Sequence, residues 1–342
     1  MWCVTELRNY LYNRRMIKSV RFDFPIISIG NLSVGGTGKS PHTEHLLQLL
    51  LYTHQVATLS RGYGRKSVGF KVVQANSLAT EVGDEPLMFK QKHPDALITV
   101  GEDRVDAIPE ILQMKPDLDV ILLDDAYQHR GVRPGLSILL TTYKYPFYKD
   151  ELFPVGQLRE SKANYKRADI LVVTQCPAKL PPVEKQNIIV QLKPQPHQKV
   201  YFTTYHYGQL YSLYDFNWKY DLHKDTIVLL LCGIANPHEL MQQIQQQVTT
   251  VHLRQFADHH TYDLHDMDSI RETWSHIGDK KKVLITTEKD AVRLLPHRDW
   301  LLANKIEVVI QPIQVKFLFN EGEQFDNDVI NYIVWEKNQT IA

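Results

Sequence analysis

Cysteine is scarce in this sequence. Cys3, Cys176 and Cys232 are the whole complement of a 342-residue chain, far apart and never in a CxxC spacing. That disfavours a disulfide framework and a structural zinc site, and it points to a reducing, cytosolic setting. Long apolar runs are lacking too. The longest, Ile227 to Cys232, is six residues, against the roughly 20 that a spanning helix needs, and no signal-peptide pattern opens the chain. Net charge is absent: 39 basic side chains cancel 39 acidic ones, so no global field holds the protein on nucleic acid by counterion release. Nucleic acid is therefore not an expected partner, and an anionic ligand has to be caught by a local site. What remains, 43% hydrophobic and 23% charged residues, is a globular composition whose length predicts two domains.

From Pro25 onward, short β-rich runs alternate with helical patterns. Ile26 to Gly30, Val56 to Ser60, Ala96 to Gly101, Val120 to Asp124, Leu136 to Thr141 and Ile170 to Thr174 read as strands. Continuous apolar strands separated by helices predict a mostly parallel sheet covered on both faces. Val200 to Tyr220, rich in Tyr, Thr and Phe, reads as a strand-rich connector, and a second β/α rhythm starts at Ile227. Two further strand-like runs, Glu307 to Ile310 and Gln314 to Phe319, lead into a last amphipathic helix from about Gln324 to Lys337. Two domains without a long linker predict a cleft between them, where ligands usually bind.

The first 24 residues carry Arg8, Arg14, Arg15, Lys18 and Arg21 against Glu6 and Asp23, interleaved with Trp2, Leu7, Tyr10, Leu11, Tyr12, Ile17 and Val20. This predicts a basic amphipathic helix. It either lies in a lipid headgroup layer, where apolar contact and attraction to anionic lipid add, or packs on its own domain with a solvated basic face.

Ser33-Val34-Gly35-Gly36-Thr37-Gly38-Lys39-Ser40 sits between a strand and a helix. In that context the backbone N–H groups of a glycine-rich turn and a helix N-terminus cradle phosphates. Lys39 would reach the β- and γ-phosphates, and the Ser40 hydroxyl would ligate Mg²⁺. Ser33 stands where GxxxxGK[ST] has glycine, so the loop is expected to enter at its own angle. A strand ending in a metal-holding acid is the expected companion, and Val120 to Asp125 supplies two adjacent carboxylates, Asp124 and Asp125. Burying two such groups without a cation is expensive. Loop and acid together predict nucleotide-dependent phosphoryl chemistry.

Further short blocks follow: LSRGYGRK from Leu59, VGDEP from Val82, GEDR from Gly101, DDAYQHR from Asp124, LRE from Leu158, FADHH from Phe256 and TEKD from Thr287. With SVGGTGKSP they stand in the order found in tetraacyldisaccharide 4'-kinases of lipid A biosynthesis, a family that the chain resembles from Arg21 to about Leu294. The resemblance implies a P-loop NTPase-type α/β/α sandwich and a second, smaller α/β/α domain joined by a two-stranded β linker. The parts would be an N-terminal helix over 1–24, a kinase domain over 25–198, linker strands within 199–220 and 306–320, a second domain over 221–305 and a C-terminal helix over 321–342.

By the same resemblance the reaction is transfer of phosphate from Mg-ATP to the 4'-hydroxyl of a tetraacylated glucosamine disaccharide 1-phosphate. Asp84 would accept the hydroxyl proton, with His259 as its partner from the second domain. Arg104 and Arg159 would neutralise phosphate charge. Asp124, Asp125 and Glu160 would hold or orient Mg²⁺, supported by Gln128 and His129. A monomer working peripherally at the cytoplasmic face of a Gram-negative inner membrane is implied. Ala126, where the family's DDGxQH has glycine, is tolerable unless that residue needs a positive φ. Other readings stay open at this stage. Asp84 could simply cap the following helix, the Asp258-His259-His260 run could belong to a metal phosphoesterase, and the phosphate loop could serve a regulatory GTPase or ATPase switch.

Overall fold

A computed structural model describes residues 2–234, 237–278 and 281–341; the side chains of Trp2, Cys3, Val4, Thr340 and Ile341 lie outside the described ones. Helix α1 (Trp2–Asn13) precedes β1 (Ile26–Asn31), α2 (Lys39–Leu51), β2 (Val56–Ser60) and β3 (Lys71–Val72). Next come α3 (Ala79–Val82), α4 (Asp84–Lys92), β4 (Leu97–Val100), α5 (Arg104–Met114) and β5 (Val120–Asp124). Then β6 (Leu136–Thr142), β7 (Ile170–Thr174), α6 (Pro182–Leu192) and β8 (Lys199–Tyr207) complete the first run. The second contains β9 (Leu210–Ser212), β10 (Lys219–Tyr220), β11 (Ile227–Cys232), α7 (His238–Gln245) and β12 (Thr250–Gln255). It continues through α8 (Leu264–His276), β13 (Lys282–Thr287), α9 (Glu288–Leu294), α10 (Arg298–Ala303) and β14 (Val308–Gln311). The chain closes with β15 (Ile313–Phe317) and α11 (Gly322–Ile341).

The larger sheet has nine strands in the order β15-β8-β7-β6-β1-β5-β2-β4-β3, parallel except for β3 and β15 at its edges. Strands β1, β2, β5, β6 and β7 are buried along their whole length, the signature of a sheet covered by helices on both faces. The smaller sheet runs β10-β9-β14-β13-β11-β12, with a parallel centre and an antiparallel β9-β10 flank. The linker strands are members of the sheets rather than a separate layer. Strand β8 lies in the large sheet and β9 in the small one, while the return passes from β14 to β15. The crossing points are tied together: Gly208 N–H donates to Pro312 O at 3.0 Å, and Gln311 Nε2 donates to Gly208 O at 2.7 Å.

The N-terminal expectation needs correcting. Helix α1 ends at Asn13, Arg15 takes a left-handed φ of 58°, and the chain then has no helix before β1. The reason is a competing backbone pairing. Val20 N–H donates to Gly131 O at 2.7 Å, and Arg133 N–H donates to Val20 O at 2.8 Å, which holds the segment flat against the domain.

Helix α11 folds back from the C-terminus onto the large sheet. Phe325, Val329 and Ile333 recur at helical spacing and pack in the core shared with Ile27, Leu47 and Tyr201. Tyr332 Oη bonds the Ile26 backbone, and Arg21 pairs with Glu336 at 2.9 Å. The two sheets also meet through an ion cluster, in which Lys92 of α4 contacts both Glu44 of α2 and Glu288 of α9. Tyr211 Oη donates to the same Glu288 at 3.2 Å. Truncating the α11 anchor, Phe325→Ala, is expected to destabilise the protein by about 3–5 kcal/mol; urea unfolding of wild type and variant measures it, and a loss under about 1 kcal/mol contradicts this role for the helix.

Candidate active site

The phosphate loop leaves β1 at Asn31 and enters α2 at Lys39, at the C-terminal ends of parallel strands, where open α/β sheets bind ligands. Gly38, the residue before α2, has φ 87°, which glycine adopts without strain. Ser33 pairs with Leu158 as an isolated β-bridge and has no positive φ, so a serine fits where the usual motif has glycine. Side chains fasten the loop's frame: Asn31 Nδ2 donates to Thr37 Oγ1 at 2.7 Å, Thr174 Oγ1 to Thr37 O at 2.9 Å, and Gln175 Nε2 to Gly36 O at 2.7 Å. Val34, Gly35 and Gly36 are left exposed at the crown.

Strand β5 runs beside β1 with Ile29 opposite Asp124, which places the acidic strand end next to the loop. Asp124 is buried and accepts from Thr43 Oγ1 at 3.0 Å and Ser60 Oγ at 3.4 Å. Burial, then the neighbouring charges of Asp125 and Glu85, pushes its carboxyl up to about 6. Asp125 differs. Burial would raise it, but Lys39 and Arg159 outweigh that and hold it below the usual carboxylate range. Lys39 Nζ is 3.6 Å and Arg159 Nη2 3.0 Å from this carboxylate. Burial lowers the Lys39 ammonium, with Asp125 opposing. The positive φ at this corner, 46°, belongs to Asp125 and not to Ala126. Ala126 is buried among Ala57, Ile108 and Leu123, and its methyl group meets no backbone penalty.

Arg104, 2% exposed, donates a hydrogen bond to the Glu102 carbonyl. Burial, then Arg61, lowers its pKa to about 10, while Asp124 and Asp125 oppose. Glu160 stands apart from the expected metal ligands. It is fully buried, and its two oxygens accept from Asn9, Gln128, Asn164 and Arg167 at 2.9–3.0 Å. A carboxylate satisfied by four protein donors is a tether for α1 in this arrangement, not an open metal ligand. Gln128 bridges it to the Asn31 carbonyl, whereas His129 Nδ1 has no hydrogen-bond partner among the described residues.

Asp84 opens α4 as its first residue; the helix is preceded by Gly83 at φ 93°, where an added Cβ would come within 3.0 Å of the Gly62 Cα in the LSRGYGRK loop. The Asp84 side chain does not cap its helix. His259, in the loop after β12, reaches across from the small sheet, and its Nδ1 is 2.8 Å from Asp84 Oδ2. That bond raises the His259 pKa, against burial. Tyr63 packs its ring 5.3 Å from the imidazole. His260 turns away to Asp266 at 2.7 Å, so the two histidines do not converge on one ion. Among the described residues the one triad able to chelate, Asp263, His265 and Asp266, includes the capping box of α8.

Sequence reasoning passed over Glu85, Lys289 and Arg293. Lys289 Nζ donates to Glu85 Oε1 at 2.7 Å, and Arg293 Nη2 lies 2.9 Å from Asp84 Oδ2. Burial raises Glu85, but Lys289 outweighs it and holds the carboxyl at about 2. The available signal was the i, i+4 spacing of Lys289 and Arg293 beginning in the TEKD block, which puts both cations on one face of a short helix.

A phosphate loop on β1, an acid on the neighbouring strand and an Asp–His pair across a cleft define the P-loop kinase class. A family model, tetraacyldisaccharide-1-P 4'-kinase, matches residues 1–333. A tetraacyldisaccharide 4'-kinase of Phocaeicola vulgatus is 40% identical over 334 residues, covering 96% of this chain and 91% of that protein. One of Flavobacterium johnsoniae is 40% identical over 332 residues, covering 96% and 93%. The crystal structure of LpxK from Aquifex aeolicus in complex with ATP aligns with a TM-score of 0.71 at 26% identity, over 96% of this chain and 95% of that one. The chain belongs to the tetraacyldisaccharide 4'-kinase family. A regulatory nucleotide switch is not favoured by these relationships.

The His259 shift has a definite sign. Its pKa is raised in the folded state, so its contribution to cross-cleft stability is fully present below about 6.5 and is lost as pH rises through the higher folded value. In an NMR titration the His259 ring is expected to titrate above 6.5 and to fall back toward it in Asp84→Asn; an unmoved midpoint contradicts the pairing.

Proposed function

We propose that this protein transfers the γ-phosphate of ATP to the 4'-hydroxyl of a tetraacylated glucosamine disaccharide 1-phosphate, giving the 1,4'-bisphosphate. The observation that carries the reading is the Asp84–His259 contact at 2.8 Å, a base and its orienting partner drawn from two different units. In the step, the sugar oxygen bonds to the γ-phosphorus as the bond to the ADP oxygen breaks. The hydroxyl proton passes to Asp84. Direct in-line transfer needs positioning and charge neutralisation rather than a covalent enzyme intermediate. His259 holds the carboxylate in orientation, and because it comes from the other unit, cleft closure completes the pair.

Residues 33–40 cradle the nucleotide phosphates, with Lys39 toward the β- and γ-oxygens. Arg104 and Arg159 face the same acidic strand end and neutralise the charge that spreads over the transferring group. The site suits Mg²⁺: Asp124 is a buried carboxylate next to a second one, and its raised pKa marks charge that lacks enough compensation within the protein. Ser40, Asp124 and Asp125 would hold the ion, which when bound neutralises phosphate charge.

The acceptor's acyl chains belong in a bilayer, and no helix among the described residues is long and apolar enough to cross one. Contact with the membrane surface falls to α1 and its exit. Leu7 and Tyr10 are 59% and 52% exposed and Met16 70%, beside Arg8, Arg14 and Arg15. Apolar insertion plus attraction to anionic headgroups supports peripheral binding at a membrane surface; the cytoplasmic face of a Gram-negative inner membrane is the location proposed for it.

Two measurements check this. With γ-labelled ATP and the tetraacyldisaccharide 1-phosphate in mixed micelles, Lys39→Ala and Asp84→Ala are each expected to lose about 10²–10⁴-fold in turnover while keeping the fold. Full activity of either removes its assigned role. The double change Leu7→Glu and Tyr10→Glu is expected to weaken co-sedimentation with anionic vesicles without altering ATP binding, and undiminished sedimentation rejects α1 as the docking element.

A further inference from the structure

Helix α9 brings its last turn to the base. Arg293, buried in that turn, brings Nη2 to 2.9 Å from Asp84 Oδ2 as an ion pair. Its Nη1 is anchored twice, donating to Asp290 Oδ1 at 3.0 Å and to the Gly233 carbonyl at 3.1 Å. Asp290 is itself fully buried and fixed. It accepts from Gly233 N–H at 3.0 Å, Thr287 Oγ1 at 2.8 Å and Tyr262 Oη at 3.1 Å. The Gly233 carbonyl also accepts the His259 backbone N–H at 3.2 Å, so the two residues that meet Asp84 hang from one peptide group. A Cβ on Gly233 would come within 2.8 Å of Asp290 Oδ1, which explains the need for glycine there.

We propose that Arg293 is a positioning residue for phosphoryl transfer, gripping the Asp84 carboxylate together with His259. The proposal rests on Asp84 being the base. Both contacts fall on Oδ2, which leaves Oδ1 as the oxygen to receive the hydroxyl proton. A carboxylate held by one donor can still swing about its last torsion. A second cation, set in a rigid fork by Asp290 and Gly233, removes that freedom. Lysine could supply charge at this place but not the fork. The task of the Thr287 to Asp290 run follows: Thr287 caps α9 through Asp290, and Asp290 aims Arg293.

The alternative is that Arg293 only staples α9 to the loop after β11. A double-mutant cycle on the full chain separates the two, using Arg293→Gln, Asp84→Asn and the pair, with γ-labelled ATP and the tetraacyldisaccharide 1-phosphate in mixed micelles. Arg293→Gln is expected to lower kcat by about 10–100-fold while the KM for ATP stays within about twofold. In the Asp84→Asn background the same change is expected to cost less than about twofold, because the group it acts through is gone. Arg293→Lys should recover part of the lost kcat. If Arg293→Gln lowers activity by the same factor with or without the Asp84 carboxylate, or leaves kcat unchanged, the positioning role is overturned while Asp84 as base stands. If Asp84→Asn alone is fully active, the base assignment fails and the positioning role falls with it. Should Arg293→Gln melt below the assay temperature, Arg293→Lys run through the same cycle carries the comparison.

Discussion

The structure depends on how the charges along α4 are met. Its first turn presents two consecutive carboxylates, Asp84 and Glu85, and its last turn carries Lys92. Each finds its counter-charge on the small-sheet unit: Asp84 meets His259 and Arg293, Glu85 meets Lys289, and Lys92 meets Glu288. Such groups are costly to take out of water alone and tolerable only when paired. Parting the units therefore strands charges on both sides. The second unit thus works as a fitted counter-surface for one helix.

That seam also couples the two halves of the site. Glu85 adds to the field that raises Asp124, and Lys289 opposes the charge on Lys39. The phosphate-binding half and the base half therefore share one electrostatic field. Lys92 draws the same kind of balance at the far end of α4. Glu44 is pushed up to about 7 by burial and then by Glu288, with Lys92 and Gln48 opposing. Seating the second unit thus tunes groups that belong wholly to the first.

Much of this was legible before any coordinates. Buried parallel strands read as uninterrupted apolar runs, because a strand covered on both faces has no reason to alternate. Ser33 to Ser40 declared a phosphate loop through its glycines and its place between strand and helix. Strands β11 and β14 of the small sheet, buried almost throughout, were legible for the same reason, whereas β12 is largely open. The N-terminal helix was overextended, since a basic and aromatic composition persists to Arg21 while the backbone after Asn13 is claimed by pairing at Val20. Glu160 is a metal-holding residue by family resemblance, but four donors from α1 and its own domain surround it. Arg293 gave little signal because its partner lies more than 200 positions away in sequence.

By itself the sequence determined the repertoire: which strands are buried, where the phosphate turn falls, and which side chains can accept protons or carry charge. Those properties are local, set by period, propensity and residue chemistry within a few positions. The tertiary structure alone decided which carboxylate faces a histidine and an arginine, which is consumed by four donors, and which residue bears the left-handed φ beside the acidic strand end. These are questions of long-range contact. The position of a charge along the chain does not state its environment, and environment decides whether an acid is a base, a metal ligand or a tether.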